Sequence, residues 1–136
     1  MTAGLSQEEL EAVLTDSQYH QFLGFRLEEF GDQSITIRLP YNELFYTSAD
    51  ADGYIHGGMI STLIDVAGYY AIFRFLNRPV PTVDLHINFL RPGRAGDLLA
   101  TATVVKLGRT VSIADIVVTD LERKQVAIGR GLFSSK

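Results

Sequence analysis

The sequence contains no cysteine. Disulfides and thiolate chemistry are therefore excluded, and the expected setting is a reducing cytoplasm. No basic run is present and the net charge is -4, so nucleic acid is not an expected partner. Residues 1–11 are polar and acidic, unlike a secretory leader. The longest apolar stretch, residues 58–76, is interrupted by Ser61, Thr62, Asp65 and Arg74, so no membrane span is expected. There is also no repeat, linker or low-complexity tract.

What is present suffices for a core. Hydrophobic residues make up 46% of 136 positions, enough for one domain over residues 1–136. Residues 1–20 form its N-terminal helical segment. Ser6-Gln7-Glu8-Glu9 has the form of a capping box, and Leu10, Val13 and Leu14 follow at helical spacing, which predicts a helix over 6–17. Tyr19, Phe22 and Leu23 are expected to pack it down. Two strands follow, 25–30 and 34–39. Ile35, Ile37 and Leu39 alternate onto one face of the second, and Gly31-Asp32-Gln33 forms the turn between them. Residues 41–55 read as a loop.

The centre of the chain is His56-Gly57-Gly58 and the apolar stretch it opens. That stretch is hydrophobic nearly all round, as expected of a buried helix, and Asn77-Arg78-Pro79-Val80-Pro81 stops it. Asp65 lies in its middle, where an unpaired carboxylate is costly. Four further strands are expected at 82–90, 98–107, 110–119 and 126–133. Their short connections imply antiparallel pairing. The fold class is α+β: an antiparallel sheet of five to six strands wrapped around one long central helix, plus a short N-terminal helix.

His56-Gly57-Gly58 followed by Asp65, then Thr82-Val83-Asp84-Leu85-His86-Ile87-Asn88-Phe89-Leu90-Arg91-Pro92, then Gly108-Arg109, form a pattern. It resembles the hotdog-fold acyl-CoA thioesterases, in their PaaI-like (phenylacetate-pathway) branch. The resemblance covers about residues 22–133. It implies hydrolysis of a small or medium acyl-CoA, an aromatic one among the candidates, to free acid and CoA, without a cofactor. It also implies a homodimer or a homotetramer built as a dimer of dimers, with each site formed across a subunit interface. The oxyanion donor falls on Gly57, with Gly58 beside it. A helix N-terminus presents free N–H groups and a positive dipole end to a developing oxyanion. The family's acid falls on Asp65, as base or nucleophile. The position of an amide common in the family, seven residues before the glycine, falls here on Asp50, or in a shifted loop register on Asp52 or another residue. Two nearby carboxylates would raise one pKa.

Other readings of the same residues stay open. Asp65 could be a core carboxylate satisfied by Ser61, Thr62 or Tyr69. His56 is better explained as a helix-entry or substrate-positioning residue than as a proton carrier. Gly57 and Gly58 could be packing glycines. Tyr69, four residues after Asp65, shares its helical face, and Thr82 aligns with a hydroxyl that positions water in relatives. Nothing in the spacing of His20 and His86 suggests a metal. Arg91, Arg94 and Arg109 fall in strand-end turns, where CoA phosphates would want cations. A dehydratase or hydratase acting on acyl thioesters, or a non-catalytic acyl-CoA-binding protein, would use much of the same scaffold.

Overall fold

A computed structural model describes residues 4–48 and 53–136. The chain begins with α1 (Gln7–Asp16) and α2 (Gln18–Leu23). The capping box forms: the Ser6 hydroxyl accepts from the Glu9 N–H at 3.1 Å, and the Glu9 carboxylate accepts from the Ser6 N–H at 2.9 Å. Leu10 and Leu14 are the residues α1 buries. The second helix was not expected. Ser17 caps it and Gly24 ends it. On it Leu23 is buried, whereas Tyr19 is 52% and Phe22 64% exposed. Six residues turn less than twice, so one narrow face packs inward and the other aromatics look out.

The strands are β1 (Arg26–Phe30), β2 (Ser34–Leu39), β3 (Thr82–Phe89), β4 (Leu98–Lys106), β5 (Val111–Thr119) and β6 (Gln125–Ser134). They form one antiparallel sheet in the order β1-β2-β4-β5-β6-β3. The long connection between β2 and β3 carries a short 3-10 turn at Glu43–Phe45, then α3 (Gly57–Leu76). The predicted loop therefore holds a 3-10 turn, and Tyr46 bridges Ile55.

The sheet wraps α3. Ile35 and Ile37 on β2, Ala100 and Ala102 on β4, and Ala114 and Ile116 on β5 are buried on the helix side. The alanines leave room for a helix against the sheet. On the helix, Leu63, Ile64, Ala67, Ala71 and Ile72 are fully buried. A Cβ on Gly68 would come within 2.9 Å of the Phe133 ring, so its absence lets β6 approach closely. Pairing shifts interrupt four of the five ladders, at Leu27/Glu29, Thr82/Asp84, Val104/Lys106 and Val118/Thr119. Such bulges add twist and help the sheet curl. By length and hydropathy α3 could cross a membrane, but here its apolar surface serves as the core. Its burial is not uniform: Asp65 and Tyr69 are only half-buried, so the helix has one open face.

At the C-terminal end of α3, Arg74 is buried. It donates to the carbonyls of Gly31 and Ser34 in the β1–β2 turn and lies 3.7 Å over the Phe30 ring. This ties the hairpin to the helix.

Candidate active site

The start of α3 is seated by backbone bonds. Ile55 N–H donates to Gly93 O at 2.9 Å and His56 N–H to Phe45 O at 2.9 Å. His56 is the N-cap; its side chain makes no capping bond, while its carbonyl accepts from Met59 and Ile60. This is the helix-entry role. Among the described residues no acceptor pairs with the N–H of Gly57 or Gly58. These groups are the orphan donors expected at a helix start. A Cβ on Gly57 would meet the Phe89 ring at 3.2 Å, so this glycine admits close packing; one on Gly58 would meet nothing within 4 Å. Packing within the chain therefore does not account for Gly58. Gly57 lines a pocket of about 400 Å³ with Tyr54, Ile60, Phe89 and Arg91.

Asp65 lies eight residues along the helix, about 12 Å from Gly57 at 1.5 Å per residue. Its Oδ1 accepts from the Thr82 hydroxyl at 2.6 Å. The hydroxyls proposed to satisfy it turn elsewhere: Ser61 donates to Gly57 O at 2.8 Å and Thr62 to Gly58 O at 3.0 Å. Asp65 lines a second pocket, of about 510 Å³, together with Thr62, Tyr69, Tyr70, Tyr19 and His20. Tyr69 stacks on Phe73 at 5.8 Å and meets Tyr70 edge-on at 4.9 Å. Tyr19 and His20, both on α2, join this pocket because the helix pair docks against α3. No sequence signal short of recognising the Ser17 and Gly24 caps would have placed them there.

The strand-end cations divide. Arg91 and Arg94 line a groove of about 560 Å³ with Lys124, which sequence reasoning missed, and with Asp97, Asp120 and Glu122. Two of these acids are engaged. Asp97 accepts from Arg38 at 2.6 Å and from the Tyr41 N–H at 2.8 Å. Asp120 accepts from the N–H groups of Glu122 and Lys124. Arg109 sits in the β4–β5 turn, at the other end of β4, about 26 Å away at strand rise. Asp50 lies outside the described residues. Among the described residues no cluster of three or more His, Asp or Glu could hold a metal.

The arrangement is a pair of backbone N–H groups without an acceptor at a helix start, and a hydroxyl-held carboxylate beside an aromatic pocket. The profile of the family described as the thioesterase superfamily matches residues 52–127. A Halobacterium salinarum protein named provisionally as an esterase is 40% identical over 134 residues, covering 91% of this chain and 88% of its own. An Escherichia coli medium/long-chain acyl-CoA thioesterase is 25% identical, covering 80% and 79%. The structure of the Escherichia coli PaaI protein from the phenylacetic acid degradation operon superposes with a TM-score of 0.81 at 26% identity, covering 90% and 87%. The chain thus belongs to the thioesterase superfamily and is a hotdog-fold thioester hydrolase.

Proposed function

We propose that the protein, acting as a single catalytic domain, hydrolyses acyl-CoA thioesters of small or medium acyl groups at sites shared between two subunits. One observation carries the shared site. The Gly57 N–H and the Asp65 carboxylate face different pockets of one chain, about 12 Å apart along a single helix. A water attacking a thioester carbonyl must sit about 3 Å from both the base and the reacting carbon. Two copies can supply what one cannot. Among the described residues strand β3 pairs only with β6 and ends the sheet, leaving one edge unpaired, with Val83 and Phe89 exposed along it. Such an edge is a template for a second chain. Antiparallel pairing of two β3 strands reverses one subunit against the other and brings the helix start of each toward the middle of its neighbour's helix.

In that site the thioester carbonyl oxygen accepts from the Gly57 N–H, with the positive end of the α3 dipole behind it. Asp65 of the second subunit takes a proton from water. The water oxygen bonds to the carbonyl carbon, the C–S bond breaks with its electrons going to sulfur, and the thiolate leaves as CoA after gaining a proton. Thr82 occupies Oδ1 of Asp65, so Oδ2 is the oxygen left for the water. Arg91, Arg94 and Lys124 take the CoA phosphates; Arg109, at the far end of β4, would reach them only from another subunit. The medium/long-chain acyl-CoA activity of the Escherichia coli relative supports the choice of thioester. The test is thiol release across a panel of acyl-CoAs. Turnover of at least one ester, with acid and CoA formed in equal amounts, is expected. Binding without thiol release would leave a non-catalytic carrier instead.

A further inference from the structure

The β3–β4 turn, residues 90–97, stands between the cationic groove and the start of α3 and is fastened to the chain that enters the helix. On the groove side it carries Arg91 and Arg94. On the helix side three hydrogen bonds hold it. The Ile55 N–H donates to Gly93 O at 2.9 Å, the Tyr46 hydroxyl to Arg94 O at 2.7 Å, and the Tyr41 N–H to Asp97 Oδ1 at 2.8 Å. Packing is close as well: a Cβ on Gly93 would meet the Ile55 side chain at 2.6 Å. The contacts then run on to the Gly57 N–H. Phe45, next to Tyr46, accepts the His56 N–H on its carbonyl, and Gly57 follows His56. Of the three bonds, the one from Tyr46 is made by a side chain of the entering segment, so a substitution can remove it without touching the backbone. The Tyr46 ring is half-buried and packs on Tyr41 with centroids 5.3 Å apart, a contact that survives loss of the hydroxyl.

We propose that Tyr46 is a positioning residue that couples the nucleotide end of the substrate to the placement of the Gly57 N–H. The inference rests on the acyl-CoA reading of the groove and of the helix start. Phosphates held by Arg91 and Arg94 fix the β3–β4 turn. The turn, through Arg94 O and Gly93 O, fixes Tyr46 and Ile55, and these fix the helix start against which the carbonyl oxygen is placed. Binding energy from a part of the substrate far from the reacting bond is thereby used at that bond. A misplacement of about 1 Å at a reacting centre can cost about 10²-fold in rate, so a small shift of this turn is enough to matter. A thioester without the nucleotide does not engage the groove and draws no advantage from the tie.

The test is Tyr46→Phe, assayed with one acyl group carried on CoA and on N-acetylcysteamine, which lacks the nucleotide. For the CoA ester kcat is expected to fall about tenfold with KM little changed. For the short thioester kcat/KM should stay near the wild-type value. A loss equal on both carriers would make the hydroxyl a general support of the fold, and no loss on either would make it idle. Both results overturn the coupling while leaving thioester hydrolysis intact. A second measurement needs no turnover. Adenosine 3′,5′-bisphosphate, the nucleotide end of CoA without its pantetheine arm, is added, and hydrogen exchange of the Ile55 and His56 amides is followed. Exchange should slow in the wild-type protein and not in Tyr46→Phe. No slowing in the wild type, or equal slowing in the variant, would overturn the proposal. If no acyl-CoA is cleaved, the thioesterase reading falls and the exchange measurement decides the coupling. If the variant fails to fold, the wild-type exchange decides it.

Discussion

Asp65 commits one carboxylate oxygen to the Thr82 hydroxyl, at 2.6 Å, and the two residues should fail differently. Asp65→Asn is nearly isosteric and cannot take a proton. It is expected to lower kcat by about 10²–10⁴-fold, the usual cost of a lost general base, with an unchanged circular dichroism spectrum. Wild-type turnover by the folded variant would make Asp65 structural. Thr82→Val keeps the shape and frees the carboxylate to turn. A hydrogen bond to a charged group contributes about 1.5–3 kcal/mol, so kcat should fall about tenfold or somewhat more, with KM nearly constant. Steady-state kinetics separate these patterns. Asp65 stood out in the sequence as a candidate because a lone carboxylate in an apolar helix is rare. Its partner was less visible: Thr82 is 17 residues away, and a bulge in β3 turns it to the same side of the sheet as Leu85 and Ile87.

At the level of elements, the junction of α3 with β6 is a close joint on the helix that carries the candidate site. Gly68→Ala adds a methyl 2.9 Å from the Phe133 ring, which is fully buried and has little room to give. Overpacking costs about 1–3 kcal/mol, and the better helix propensity of alanine offsets about 1 kcal/mol. A modest net loss is expected, read as a lower urea midpoint at unchanged slope. An unchanged midpoint would mean that the joint is looser than its distances. Strands and the long helix were legible because their periods are clean: Ile35, Ile37 and Leu39 alternate, and α3 runs 20 residues without a break. Helix α2 was not, since six residues are too few to show a period. His20, weighed as structural, was given no place in the pocket, because that place comes from tertiary docking. The grouping of Arg109 with Arg91 and Arg94 had a related cause: sequence marks a strand-end turn but not which end of the sheet it occupies.

For the whole molecule, charge is expected to govern both substrate capture and acid stability. The chain is acidic, at -4, and would repel CoA in the absence of local cations. Replacing Arg91 and Lys124 together by glutamine should raise KM several-fold for CoA esters at low salt, leave kcat nearly unchanged, and matter less as salt rises. Equal losses on thioesters lacking the nucleotide would assign those side chains to the fold. Stability should also fall in acid. Burial alone would raise the Asp97 carboxyl, but the Tyr41 N–H and Arg38 more than offset it, and Arg130 holds Asp115 down. Both folded values are depressed, so the stability they add is complete above the unfolded carboxylate pKa, near ~4. It is lost as pH falls through the folded values. Asp97→Asn should flatten that acid limb in pH-dependent unfolding.

The shared site is tested most directly by subunit complementation. Asp65→Asn removes the base, and Gly57→Val crowds the oxyanion donor against Phe89; each protein alone should be inactive. In a mixed dimer both lesions fall in one site and the other site is intact, so mixing under conditions of proven subunit exchange should restore up to about half of the activity per mixed dimer, by thiol release. Exchange with no recovered activity would contradict a site built from two chains.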